Sequence, residues 1–229
     1  MPLFSASDIY FFCTMGKIFD WIDSRFGVKE PHKRFMQRPV PSNVNYSYCL
    51  GGMAFTYFLM LAFTGLLLSI YYVPSEKEAF KSVVAITNEV TLGWLVRSLH
   101  KWSANLFIIF TILHTIRVFV YKAYRPPREL NWMAGVLGFV IAMASGFTGY
   151  LLPWDQKAYW ATEVGTSMFG TVPLIGDYLM YAVRGGLDIN GTTLIRFYSF
   201  HVLYLPVSMA VILWAHFHMV KKQGIAGGL

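Results

Sequence analysis

The sequence predicts an all-α integral membrane protein, a bundle of four spanning helices with a further N-terminal helix and short helices in the third loop. Hydrophobic residues make up 55% of the chain and charged residues only 14%, whereas soluble domains carry about 25% charged residues. The formal charge of +7 does not indicate nucleic-acid binding, because the basic residues cluster at the ends of apolar runs. That distribution is typical of a protein surrounded by membrane lipid.

Residues 1–45 precede the first spanning segment and are predicted to form a separate unit at the inner membrane surface, without a signal peptide. Apolar residues occur there at roughly helical spacing, with charged residues between them: Ile9, Phe12, Phe19, Ile22 and Phe26. This pattern favours a helix that lies in the membrane interface and does not cross it. A basic connector interrupted by prolines, residues 31–41, leads to the predicted membrane domain, residues 46–229.

Four apolar runs are long enough to cross a bilayer. They cover approximately residues 46–73, 92–121, 132–154 and 197–220, and each reaches the roughly 20 residues that a hydrocarbon core of about 30 Å requires. The loop between the third and fourth runs, residues 155–193, is long and contains apolar turns. Because long loops in compact proteins are commonly functional, we expect it to contain short helices that cover the outer surface.

The positions of lysine and arginine predict the orientation. Basic residues are concentrated in the N-terminal segment, in the loop after the second run and in the C-terminal tail. The loops at 74–91 and 155–193 mix acidic residues with few basic ones. Since basic loops remain on the inner side of a membrane, both termini are expected there.

Two of the predicted spans each carry a pair of histidines, His100 with His114 and His201 with His216. Fourteen helical residues return to within about 40° of the starting direction and rise roughly 21 Å. A single intramembrane histidine is commonly satisfied by a hydrogen bond, but two matched pairs favour axial ligation of haem iron. By depth, His100 pairs with His201 near the outer surface and His114 with His216 near the inner one. The bundle is therefore predicted to enclose two haems that transfer electrons across the membrane.

The two spans without histidines carry glycines at the same interval. Gly51 and Gly65 lie fourteen residues apart, as do Gly135 and Gly149. Close helix packing through small residues is one explanation. The shared spacing favours another, in which the backbone approaches a flat ligand and the glycines form haem walls.

The histidines of the fourth span are fifteen residues apart, which would separate them by about 60° on a straight helix. Pro206 lies between them, and we expect a kink or one wide turn near it that restores the register. In the second span, Arg97 and Lys101 flank His100, where they would pair with haem propionates; anchoring at the membrane interface is the open alternative.

Several longer motifs point to one family. They are NVNYSYCLGG, LGWLVRSLHKWSA, RPPRELNW, GYLLPWDQ, TTLIRFYSFH and KKQGIAGGL. With the histidine spacings, the chain closely resembles the cytochrome b6 family from about residue 43 to the C-terminus. That family supplies the four-helix haem subunit of b6f complexes and of related bacterial quinol–cytochrome c oxidoreductases. The resemblance implies two non-covalent, bis-histidine b haems in a bacterial cell membrane or a thylakoid membrane.

The resemblance also implies site residues. Cys49 matches a cysteine that holds an additional haem c through one thioether; by itself it would be interpreted as a small buried residue. Pro153 and Trp154 match one wall of an outer quinol-oxidation site. Lys221 occupies a position associated with the inner quinone site, so quinol and quinone are the implied substrates.

The implied partners are a subunit IV-like C-terminal half of cytochrome b, a Rieske iron–sulfur protein and a cytochrome c-type subunit, in a homodimeric complex. One electron from quinol would go to the Rieske protein. The other would cross the outer and inner b haems to the covalent haem and quinone, with protons released outside and taken up inside. This chain alone would carry no complete catalytic site.

Two other functions fit the composition. A haem-b membrane anchor of a quinone-linked dehydrogenase would also contain paired histidines, but it would need neither the PWDQ motif nor Cys49. A channel or transporter commonly buries acidic residues in its spans, and the central apolar runs here contain none.

Overall fold

The computed structural model describes residues 17, 20, 21, 23–27, 30, 33 and 46–224. The chain divides into two compact units, Met1–Ser42 and Asn43–Leu229. In the first unit the described residues are helical except Gly27. The side chains of the predicted interfacial stripe lie outside the described residues, apart from the exposed Phe26, so the interfacial position of this helix stays a prediction.

All regular secondary structure in the described part of the second unit is helical, which confirms the predicted all-α class. A 3₁₀ turn at Tyr46–Cys49 leads into α1 (Leu50–Ser69), followed by α2 (Ala79–Asn88), α3 (Gly93–Val120), α4 (Glu129–Leu151), α5 (Gln156–Gly170), α6 (Gly176–Arg184), α7 (Gly191–Ser199), a π-helical turn (Phe200–Tyr204) and α8 (Leu205–Gln223). Four segments are long and apolar enough to cross a membrane: Tyr46–Ser69, Gly93–Val120, Glu129–Leu151 and Gly191–Gln223. The chain is therefore an integral membrane protein.

The third and fourth spans begin before their predicted limits, and the differences have local reasons. The third begins at Glu129, whose carboxylate in the first turn is favoured by the helix dipole, and ends at Leu151 because Pro153 cannot continue a helix. The fourth begins six residues early, at Gly191. There Asn190 caps α7 in a reciprocal arrangement with Thr193.

The third loop contains α5 and α6, so the short helices predicted for it are present. Helix α2, in the first loop, was not predicted. Its sequence, AFKSVVAITN, is rich in β-branched residues, which lowers its intrinsic helix propensity. Burial of Ala79 and Ile86 stabilises it, and the backbone of Ile86 lies against Gly93 at the start of α3.

The four spans pack as two pairs, α1 along α3 and α4 along α8. Their common core is a layer of four buried residues, one from each span: Ala54, Phe107, Ala142 and Met209. Phe107 lies seven residues from both His100 and His114 on α3. The apolar layer therefore separates the two predicted histidine levels.

The wide turn predicted in the fourth span is confirmed. Residues Phe200–Tyr204 form a π-helix that contains His201 and ends two residues before Pro206. A π turn holds one residue more than an α turn. It therefore absorbs the fifteenth residue and returns the two histidines to one face.

Candidate haem centre

The structure brings the four intramembrane histidines together as two facing pairs. The ring centroids of His100 and His201 are 6.2 Å apart, with ring planes at 75°. Those of His114 and His216 are 6.4 Å apart at 83°. In each pair one ring comes from α3 and the other from the fourth span.

These separations fit two imidazoles on opposite sides of one metal ion. A metal–imidazole bond of about 2.0–2.1 Å, with the nitrogen roughly 1.1 Å from the ring centre, puts the two centres about 6.3 Å apart. In the part of the chain that is described, no three His, Cys, Asp or Glu side chains converge on a possible metal ion. Each site thus offers two axial ligands and leaves the remaining positions to a porphyrin, so the residues fit b-type haem.

Each of the four glycines lies against one of these imidazoles. A methyl group at Gly149 would approach His201 Cε1 to 2.5 Å, and one at Gly51 would approach His114 Cε1 to 3.0 Å. The corresponding distances are 3.2 Å from Gly65 to His100 and 3.6 Å from Gly135 to His216. The missing side chains therefore make room for the histidine rings themselves, between the two helices of each packed pair.

Hydrogen bonds at Nδ1 orient three of the rings. His201 Nδ1 lies 2.9 Å from the Ser145 carbonyl oxygen, and His216 Nδ1 lies 3.3 Å from that of Asn131. Because a carbonyl only accepts, both rings carry their proton on Nδ1 and keep the Nε2 lone pair for a metal. His100 Nδ1 lies 2.8 Å from Thr64 Oγ1.

The fourth ring, that of His114, belongs to a region with several unpaired polar atoms. His114 Nδ1 and the Nε and Nη2 atoms of Arg117 are buried without a hydrogen-bond partner among the described residues. The Arg117 guanidinium lies 3.7 Å from the ring centroid of Tyr48 and 5.0 Å from that of Tyr121. Sequence reasoning missed Arg117, although its position one turn after His114 was a usable signal. Its unpaired donors fit an anionic group such as a haem propionate.

Cys49 lies at the same end of the bundle. It directly precedes α1, with an exposed thiol and no disulfide to another described residue. Gly51, two residues later, touches His114. Lys221 is exposed in the last turn of α8, five residues after His216.

The two basic residues predicted to meet propionates at the other level, Arg97 and Lys101, are both exposed and flank His100 on α3. Arg97 Nη1 donates to Thr87 Oγ1 of α2 at 3.3 Å. Helix α2, which was not predicted, therefore holds one of these side chains.

The turn after α4 carries Pro153 and Trp154. Trp154 has φ of 51°, an unusual left-handed conformation for a residue with a side chain, and Asp155 caps α5 by accepting from Ala158 N. A cavity of about 210 Å³ lies here, lined by Trp154, Asp155, Gln156, Tyr159 and Trp160.

Contacts from Tyr72, in the loop after α1, also hold this turn. Tyr72 donates to the Leu152 carbonyl at 2.7 Å and stacks on Tyr198 with ring centroids 5.4 Å apart. Burial raises the pKa of the Tyr72 phenol. The loop after α1 is thereby tied to the turn that carries Trp154.

Two facing imidazole pairs at separate levels of a membrane helix bundle define a haem-binding electron-transfer subunit. Residues 35–224 match the family model described as cytochrome b/b6/petB. The chain belongs to this cytochrome b/b6 family.

Relatives and a solved structure agree with that assignment. The chain is 44% identical to cytochrome b6 of Synechococcus elongatus and 41% identical to that of Euglena gracilis, in each case over 94% of this chain and 100% of the relative. It is also similar to a chain of a hyperthermophilic respiratory complex III, with a TM-score of 0.84 and 32% identity. That alignment covers 90% of this chain and 55% of the other, so this chain spans about half of its length.

Proposed function

We propose that this chain is the transmembrane electron-transfer subunit of a quinol–cytochrome c or quinol–plastocyanin oxidoreductase. The observation that carries the proposal is the presence of two facing imidazole pairs, with centroids 6.2 and 6.4 Å apart, on either side of an apolar layer. When bound, haem supplies a reversible one-electron change at iron at each level.

The chain's own residues decide what that chemistry is used for. His100 with His201, and His114 with His216, would each hold one haem between two imidazoles, which would favour electron transfer over binding of oxygen. The glycines permit the rings to seat between packed helices, and the Nδ1 hydrogen bonds of three histidines hold the rings in the ligating orientation. The arginine after His114 offers unpaired donors for a propionate.

Quinol would be oxidised at the end of the bundle that carries His100 and His201. Pro153 and Trp154 form one wall of that site, in a turn tied to Tyr72. Quinone would be reduced at the opposite end, close to Lys221 and to a haem c attached through Cys49. Proton release at the first end and uptake at the second couple the reaction to translocation.

The remaining parts of such an enzyme would come from other chains. They are a subunit IV-like C-terminal half of cytochrome b, a Rieske protein and a cytochrome c-type subunit, in a homodimeric complex in a bacterial cell membrane or a thylakoid membrane. The basic loops favour an arrangement with both termini on the cytoplasmic or stromal side.

The haem assignment is tested by replacing single histidines in the purified complex. We expect His100→Leu to abolish one b-type component in the reduced-minus-oxidised spectrum and to leave the other. His218→Leu is the matched control, because His218 is exposed and stacks on Trp214 at 6.0 Å. Retention of both components in the His100→Leu variant would contradict the assignment.

The covalent haem is tested by haem staining of a denaturing gel. A stained band near 26.1 kDa is expected for the parent chain and for Cys13→Ser, and none for Cys49→Ser. If the parent band does not stain, the proposed covalent haem c is contradicted and the dehydrogenase-anchor alternative stays open.

A further inference from the structure

The side chain of Thr64 on α1 contacts the ring of His100 on α3. We propose that Thr64 is a positioning residue that orients this ligand and lowers the reduction potential of the outer haem. The inference rests on the proposed function, and it concerns a side chain that sequence reasoning passed over in favour of the neighbouring Gly65.

The geometry defines which atom donates. Thr64 is only 2% exposed, and its hydroxyl donates to the Met60 carbonyl at 2.6 Å. With its one hydrogen used there, Thr64 Oγ1 can only accept from His100 Nδ1, which lies 2.8 Å away. The proton of the imidazole is therefore on Nδ1, and Nε2 keeps the lone pair that a metal requires.

Thr64 and Gly65 hold the ring from two directions. A methyl group at Gly65 would lie 3.2 Å from His100 Cε1, so the ring edge already touches the backbone of α1. The Thr64 hydroxyl then restricts rotation of the imidazole about the bond that joins the ring to Cβ. The backbone of Leu61 also interacts with His100, so three neighbouring parts of α1 hold the ring toward His201.

The hydrogen bond has an electronic consequence. When a neighbouring group accepts a hydrogen bond from Nδ1, the imidazole becomes a stronger electron donor to its metal. This hydrogen bond strengthens when the ring ligates the more highly charged, oxidised iron. The oxidised state is therefore favoured and the reduction potential is lowered. A hydrogen bond to a charged partner is more stabilising than one between neutral groups, and the difference changes an equilibrium constant about five-fold.

The inner level differs in this respect. His216 Nδ1 has a longer contact of 3.3 Å, and His114 Nδ1 has no hydrogen-bond partner among the described residues. Both outer ligands have contacts below 3.0 Å. Thr64 thus contributes to a difference in potential that favours electron flow from the outer to the inner level.

The experiment is a spectroscopic redox titration of the purified complex with Thr64→Val, which has nearly the same shape and lacks the hydroxyl. We expect the ratio of reduced to oxidised outer haem at a fixed ambient potential to rise about five-fold, or about 40 mV at 59 mV per tenfold change. The inner haem is the internal reference and is expected to be unchanged. Thr64→Ser, which keeps the hydroxyl, is expected to retain the parent potential.

The matched control is Thr111→Val on α3. The Thr111 hydroxyl donates to the Phe107 carbonyl four residues earlier, at 2.6 Å, as Thr64 does to Met60. Thr111→Val therefore measures how the loss of such a helix hydrogen bond by itself affects the reduction potential. An unchanged outer potential in Thr64→Val, equal shifts at both haems, or the same shift in Thr111→Val would overturn the proposal. Two b-type components present without a specific shift would refute the role of Thr64 alone, whereas absence of paired haems would refute the proposed function.

Discussion

The closest glycine–histidine contact yields the sharpest quantitative prediction. Replacing Gly149 with alanine puts a methyl group 2.5 Å from His201 Cε1, 2.9 Å from Nδ1 and 3.0 Å from Nε2. Ordinary contact begins at 3.4 Å, so the ring must retreat by about 0.9 Å. His201 cannot do so freely, because its Nδ1 is bonded to the Ser145 carbonyl at 2.9 Å.

The size of the effect follows from two opposing contributions. Overpacking of a close-packed site costs about 1–3 kcal/mol, whereas replacing glycine with alanine inside a helix gains about 1 kcal/mol. The net loss is up to about 2 kcal/mol, or roughly thirty-fold in the affinity for a haem held by His201. Gly135→Ala is the control, since its methyl group would lie 3.6 Å from His216 and fits without displacement.

The assay is haem content per complex with the amplitudes of the two b-type components, measured across the series. We expect the component of the His100/His201 level to be depleted most in Gly149→Ala and less in Gly65→Ala, the component of the His114/His216 level to be reduced slightly in Gly51→Ala, and no loss in Gly135→Ala. The reasoning fails if Gly149→Ala retains the outer haem as fully as Gly135→Ala does. A loss of both components in equal measure would also refute it, because the contact is with His201 alone.

Three further predictions concern other parts of the molecule. Arg184→Met should destabilise the third loop by about 1–3 kcal/mol, because Arg184 is 3% exposed and its loss leaves the buried hydroxyl of Thr166 without the donor that lies 2.7 Å away. Lys81→Met removes an exposed ion pair and should cost about 0–1 kcal/mol; equal losses of thermal stability in the two variants would contradict this. Deleting Val202 should convert the π turn to regular α-helix and preserve both haem spectra. Inserting one alanine after Val202 should rotate His216 by about 100° and abolish the component that His216 would hold. Loss of a haem in the deletion variant and retention of both in the insertion variant would contradict this role of the π turn. Because burial raises the pKa of Tyr72, its phenol ionises more readily in the unfolded state, and the stability of the folded state should fall as the pH rises above about 10. The stability of Tyr72→Phe should depend less on alkaline pH. Identical alkaline stability profiles of the two proteins would show that the phenol does not contribute.

The parts of the fold that depend on periodicity could be predicted from the sequence. Hydropathy located all four spans, since a bilayer requires long apolar helices. The fifteen-residue interval between His201 and His216 was informative because helix geometry allows so few solutions; a wide turn was one, and the π-helix at Phe200–Tyr204 is the result.

Features that depend on contacts between distant residues could not be predicted in this way. Helix α2 forms because Ala79 and Ile86 are buried by other elements, against a weak local propensity. The bond from Thr64 to His100 joins residues 36 positions apart. Arg184 also satisfies its donors through tertiary contacts, including Thr166 at 2.7 Å and the Glu163 carbonyl at 3.0 Å. None of these pairings leaves a periodic trace in the sequence.

The way in which the histidine pairs are divided between helices has a consequence for biogenesis. Each pair takes one ring from α3 and the other from the last span, so the first three spans alone offer only one axial ligand at each level. Neither level can present both of its imidazoles until the fourth span has entered the bilayer and packed against α3. A haem held by both rings of a pair would therefore join the fourth span to α3, and it could do so only after all four spans have packed together.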